Sequence, residues 1–121
     1  MRFNGSCIIT DDVISLANFY DTVLGTASDI NEVHTSMNVE GAGLAIYNRN
    51  CAKEDMNLSF HDSGCNIVLQ FIVKDVDELF NRLRKLDIKI INEPVTYPWG
   101  AKSMQIKDLD GNIISFASMV E

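Results

Sequence analysis

The stretch NIVLQFIVKDVDELFNRLRKLDIKI, residues 66–90, decides the fold. It opens as a β-rich run and reaches Asp75, whose carboxylate can accept from the free amides of a first helical turn. Beyond it Val76, Leu79, Phe80, Leu83 and Leu86 recur on one side of a predicted helix. The same order stands earlier, in SCIITDDVISLANFYDTVLGT, residues 6–26. There a strand leads to Asp12, then to Val13, Leu16, Ala17, Tyr20 and Leu24 at helical spacing, with Gly25 as the stop. A shift of 63 positions lays Asp12 on Asp75, Val13 on Val76, Leu16 on Leu79 and Asn18 on Asn81. Four identities are few. The repeated order of strand, cap and amphipathic helix is the stronger sign of two equivalent halves.

Short strand candidates follow each helix. In the first half they are SDINEV (28–33), TSMNVE (35–40) and GLAIYN (43–48); in the second, KIINEPVTY (89–97), AKSMQIKD (101–108) and NIISFAS (112–118). Each half therefore reads as β-α-β-β-β. The predicted fold class is α+β: one domain over residues 1–121, with two modules, about 1–50 and 64–121, forming curved, partly open mixed sheets around a cavity. Pro94 and Pro98 predict an edge strand or ordered loop. The polar segment RNCAKEDMNLSFHDSG, residues 49–64, reads as a linker with a helical turn near residues 52–56.

Strand alternation assigns faces. Ile67, Leu69, Phe71 and Val73 share the helix side of their strand, and Val68, Gln70 and Ile72 face the cavity. Leu44, Ile46, Ile114 and Phe116 are expected to be buried, with Ala45, Tyr47, Ser115 and Ala117 on the cavity side. Tyr47 and Gln70 interrupt apolar strands with groups that need polar partners, which suits a wet or ligand-filled cavity. In DLDGN, residues 108–112, Asp108 and Asp110 can accept from backbone amides while Gly111 supplies a positive φ; these are turn-building residues.

Seventeen acidic against ten basic residues give a formal charge of −7, which argues against a nucleic-acid partner. That charge either solvates the surface or lines a pocket for a cationic ligand. No apolar run is long enough to span a bilayer and no signal peptide is evident, so no membrane partner is expected and a cytoplasmic location is the default. Cys7, Cys51 and Cys65 form no CxxC pair, which fits free thiols in a reducing compartment. His34 and His61 lie outside any metal-spacing motif.

With TDDVISLANFYDTVLG, VKDVDELFNRLRKLDIKI and EPVTYPWGAKSMQIKDLDGNIISF in these positions, the chain resembles the vicinal oxygen chelate superfamily of glyoxalase I, extradiol dioxygenases and fosfomycin- and bleomycin-resistance proteins. The usual form of the final turn has Pro where this chain has Leu109, and YPWG resembles the bleomycin-resistance and dioxygenase-like branch most. Metal-dependent relatives place four His, Glu or Gln ligands on cavity-facing strands. The resemblance carries those positions onto Gly5, Ala45, Val68 and Ser115, and a one-residue shift gives no better set. Such residues cannot assemble a divalent-metal site, so no metal and no cofactor is implied.

The leading expectation is a metal-independent small-molecule-binding protein, similar to the bleomycin-resistance type, in which two chains pair as a homodimer and in some members exchange strands. Cys7, Tyr47, Phe60, Gln70, Trp99 and Ser115 are the cavity candidates, with Glu54 or Asp55 supplying negative charge. Trp99 is either an aromatic platform for the ligand or a packing residue at an edge or subunit contact. The alternative is a metal-independent lyase or isomerase using Cys7, Tyr47, Gln70 or His61 in the same cavity. A third reading, a scaffold with a filled cavity, suits apolar Val68 and Ala45.

Overall fold

The computed structural model describes residues 4–56, 68–98 and 100–119. The chain forms two compact units, Met1–Asp62 and Ser63–Glu121. The described residues carry seven strands in two mixed open sheets and three helices, an α+β architecture.

In the first unit β1 (Gly5–Thr10) leads into α1 (Val13–Leu24), followed by β2 (His34–Ser36), β3 (Gly43–Asn48) and α2 (Arg49–Met56). Asp12 caps α1 as its sequence position predicts, accepting from the Ser15 amide at 3.1 Å. Gly25 ends the helix at φ 69°, where a Cβ would be disfavoured. Val13, Leu16, Ala17, Tyr20 and Val23 are buried along one side. Val23 takes the place expected for Leu24, which is half-buried. The sheet order is β1-β3-β2, with β1 parallel and β2 antiparallel to β3.

Two expectations for this half need correction. The strand around residues 28–33 does not form; that segment is irregular, and β2 covers only the start of the next candidate. Side chains supply the polar partners instead. Asp21 accepts from Thr26 Oγ1, Ser28 N and Ser28 Oγ at 2.6, 2.9 and 2.8 Å, and Asn31 Oδ1 accepts from the Val33 and His34 amides. The second correction concerns the linker. Its first part is a full helix, α2, capped by Asn48, whose Oδ1 accepts from the Asn50 and Cys51 amides. Arg49 pairs with Asp11 at 2.8 Å, fixing the start of α2 to the turn that precedes α1.

The second unit runs β4 (Val68–Ile72), α3 (Val76–Leu83), β5 (Lys89–Thr96), β6 (Ala101–Lys107) and β7 (Ile113–Met119), the β-α-β-β-β order expected. Asp75 caps α3, accepting from the Asp77 and Glu78 amides. The helix ends at Leu83, so Leu86 lies beyond it and is exposed rather than on its apolar side. Sheet order is β4-β7-β6-β5, with β4 parallel to β7. Pro94 sits in edge strand β5, where the register with β6 shifts. Met104, Ile106, Ile114 and Phe116 are buried on one sheet face, each contributing about 1.5–3 kcal/mol by leaving water. Asp108 closes the β6–β7 turn, its Oδ1 accepting from the Asp110 and Asn112 amides at 2.9 and 2.8 Å while Gly111 stands at φ 88°.

Candidate functional site

Each unit has one sheet face buried and one face left open. In the first unit Thr10, Thr35, Leu44 and Ile46 are buried. Alternation then places Cys7, Ala45 and Tyr47 on the opposite face, where Cys7 pairs with Ala45 and His34 with Tyr47 across the strands. The His34 and Tyr47 rings meet edge to face at 5.1 Å. Tyr47 Oη donates a short hydrogen bond to Asp55 Oδ2 on α2. That bond, reinforced by slight desolvation and the carboxylate's charge, pushes the Tyr47 hydroxyl up to about 12. Cys7 is exposed over part of its side chain, yet desolvation by the surrounding sheet raises its thiol above the ordinary range. Neither group is an activated nucleophile at neutral pH.

In the second unit the open face is crossed by a polar rung. Gln70 on β4 is the register partner of Ser115 on β7, Ser115 pairs with Gln105 on β6, and Gln105 with Asn92 on β5. Hydrogen bonds run along it: Asn92 Nδ2 donates to Gln105 Oε1 at 2.9 Å, and Gln105 Nε2 donates to Ser115 Oγ at 3.0 Å and to Ser103 Oγ at 3.3 Å. Gln70 and Asn92 are exposed, while Ser103, Gln105 and Ser115 are half-buried. Val68 and Ile72 flank Gln70 along β4, and both are exposed.

The candidates thus fall into two groups: Cys7 and Tyr47 on the open face of the first unit, Gln70 and Ser115 side by side on that of the second. Of the acidic candidates, Asp55 reaches Tyr47. Phe60, His61 and Trp99 lie outside the described residues. Sequence reasoning missed Asn92, Ser103 and Gln105. For the last two the signal was present, because Ser103 and Gln105 alternate with buried Met104 and Ile106. Asn92 was hidden by the β5 register shift beside it.

A family model for the glyoxalase-like domain matches residues 3–121. The chain belongs to the glyoxalase-like domain family, within the vicinal oxygen chelate superfamily. The chain's fold is also similar to solved structures. A glyoxalase/bleomycin resistance protein/dioxygenase family enzyme from Burkholderia phytofirmans matches with TM-score 0.86 and 18% identity over 99% of this chain and all of its own. A glyoxalase/bleomycin resistance protein/dioxygenase from Nocardioides gives 0.81 and 21% over 100% and 85%. A lactoylglutathione lyase from Agrobacterium tumefaciens gives 0.76 and 18% over 97% and 92%. None of the curated proteins compared with the chain matches it.

In this glyoxalase-like domain the residues onto which the resemblance carries the relatives' metal ligands, Gly5, Ala45, Val68 and Ser115, do not have the donors a divalent cation needs. Ala45 and Val68 offer no donor, and the Ser115 hydroxyl is bonded to Gln105. At Gly5, φ is +147° and a Cβ would stand 2.1 Å from the Gly43 carbonyl oxygen, so the backbone itself excludes a side chain there. Among the described residues, no three His, Cys, Asp or Glu side chains gather as a metal site would require. Nor is any helix among them long and apolar enough to cross a membrane.

Proposed function

We propose that this protein binds a small organic molecule on the open faces of its sheets without a metal, in the manner of the bleomycin-resistance branch. The observation that carries this reading is the polar rung Gln70–Ser115–Gln105–Asn92 on a face where Val68 and Ile72 are also exposed. A filled scaffold would bury such a face in apolar side chains. Half-buried serines and a carboxamide already held in place by hydrogen bonds are prepared to orient a ligand, at little cost in side-chain entropy. Binding is favoured over lyase or isomerase chemistry because Cys7 and Tyr47 both hold their protons at neutral pH. We read the two units as modules of one domain, supported by a family match that runs through both. We also propose a homodimer, supported by the exposed apolar side chains Ile72 and Met119.

The test has two readouts. Protein purified without chelator is expected to carry no stoichiometric metal, and its melting temperature is expected not to rise saturably with Zn(II), Ni(II), Mn(II) or Fe(II). A library of planar aromatic and charged fragments is expected to give saturable NMR shifts clustered on β4, β6 and β7. A tightly bound metal at one equivalent would restore the metal-enzyme reading, and a screen whose shifts all fell on helix surfaces would remove the binding face.

A further inference from the structure

The direction of one carboxamide fixes the chemistry of the rung. Gln105 uses both N–H donors of Nε2 on hydroxyl oxygens, one on Ser115 and one on Ser103, while its Oε1 accepts from Asn92. Each serine oxygen is therefore an acceptor within the rung, and its own O–H proton has to point away from Gln105. β6 and β7 are interior strands, with neighbours on both sides, so their carbonyls serve the sheet ladders. The two hydroxyl protons are thus free to serve an acceptor on the open face. The side chain of Gln70, beside Ser115, makes no hydrogen bond to another described residue and adds a further N–H donor pair.

Charge on the same face agrees with this polarity. Lys107 lies two positions along β6 from Gln105 and is the register partner of Lys89 on β5. Neither lysine has an ion-pair partner among the described residues. No Asp or Glu occupies a paired position on this face, although the chain as a whole carries −7. Lys102, by contrast, points to the helix side and is bonded to Asp77 of α3 at 2.6 Å. Glu93, in the β5 register shift between Asn92 and Val95, is the acidic residue of the strand that borders the rung.

We infer that the rung is the recognition end for an organic acid: Ser103, Ser115 and Gln70 donate to its carboxylate, Lys107 supplies the opposing charge, and Val68 and Ala117 receive its apolar body. This rests on the small-molecule reading above and narrows it to one ligand class. A carboxylate has about four acceptor sites and no donor, which matches a cluster of free donors. An amine would meet the same protons head-on.

The test uses the full chain and three probes that share one ring: sodium benzoate, benzylamine and benzyl alcohol. Benzoate is expected to bind saturably, moving the backbone amides of Ser103, Gln105 and Ser115 and the side-chain amide of Gln70 in NMR spectra, with benzylamine weaker. Gln105→Glu keeps the size and the hydrogen-bonded frame, since the serine hydroxyls then donate to the new carboxylate. It is expected to weaken benzoate by about tenfold or more with an unchanged melting curve. Ser115→Ala, which removes one donor, is expected to weaken it several-fold. Unchanged benzoate affinity in Gln105→Glu, or a preference for benzylamine, would overturn the inference. Equal shifts near Val68 and Ala117 from all three probes would overturn the carboxylate assignment and leave small-molecule binding intact. Absence of any shift on either open face would sink both.

Discussion

Gly5 shows how much one residue decides. It is the Cα partner of Gly43, and its φ of +147° is a region that L side chains avoid. A Cβ at Gly5 would overlap the Gly43 carbonyl oxygen, and that oxygen belongs to the sheet backbone and cannot swing aside. Counting along the sequence was enough to bring Gly5 to the family's ligand position. The reason it has no side chain was not legible, because it depends on Gly43 arriving from a distant strand. Gly5→His is accordingly expected to fail as a restored metal ligand and to destabilise the fold by about 2–4 kcal/mol, from backbone strain and overpacking together. Gly25→Ala is the control: nothing lies within 4 Å of its Cβ, so only the φ of 69° opposes it, at about 1 kcal/mol. Urea unfolding of both variants, with a nickel titration of the first, decides this. A Gly5→His protein as stable as its parent would show that β1 and β3 can part.

At the scale of elements, α1, α3 and the second unit were legible, while the segment after α1 and the full extent of α2 were not. Asp12, Asp75 and Gly25 are local signals whose reading needs no tertiary context, and each stands where expected. Residues 28–33 carry the β-branched Ile30 and Val33, but the competing signal is the short polar side chains around them. Asp21, Ser28 and Asn31 bond the backbone locally and remove the need for a ladder. Asn48 gave a comparable signal for α2, which begins at Arg49 rather than in the middle of the linker. Asp21→Ala is therefore expected to cost about 1–2 kcal/mol at neutral pH and to loosen residues 26–36 in hydrogen exchange. Partial burial works to raise the Asp21 carboxyl, but the Thr26 hydroxyl and the Ser28 amide and hydroxyl outweigh it, and the net shift is downward. A depressed carboxyl stabilises the fold fully above the ordinary aspartate range and loses that contribution as pH falls through its own lowered value. The stability gap between Asp21→Ala and its parent should thus narrow in acid. A gap that stayed constant would place the effect of Asp21 in packing.

For the whole molecule the internal repeat was the decisive sign, since two strand–cap–helix units name a fold that either one alone leaves open. Which faces stay open also followed from alternation, as Gln70 and Ser115 show. The bonds that join Ser115 to Gln105 and Asn92 did not, because register across three strands is set by turns and bulges that a linear reading does not fix. Homodimer formation belongs to this scale. Ile72 is 80% exposed and Met119 67%, and they lie near each other on the open face of β4 and β7, past the rung. Water is a poor neighbour for that end of the face, and a second copy would cover it while leaving the rung free for a ligand. Two chains of formal charge −7 repel, so their pairing should tighten as salt screens them. Sedimentation velocity is expected to give twice the 13.5 kDa chain mass at micromolar concentration, with dissociation promoted at low ionic strength. Ile72→Asp should shift the equilibrium to the monomer with little change in the fold, because an exposed strand residue is replaced and no core contact is lost. A monomer at every salt concentration would mean that Ile72 and Met119 meet the ligand rather than a partner, and benzoate binding should then weaken in Ile72→Asp as well.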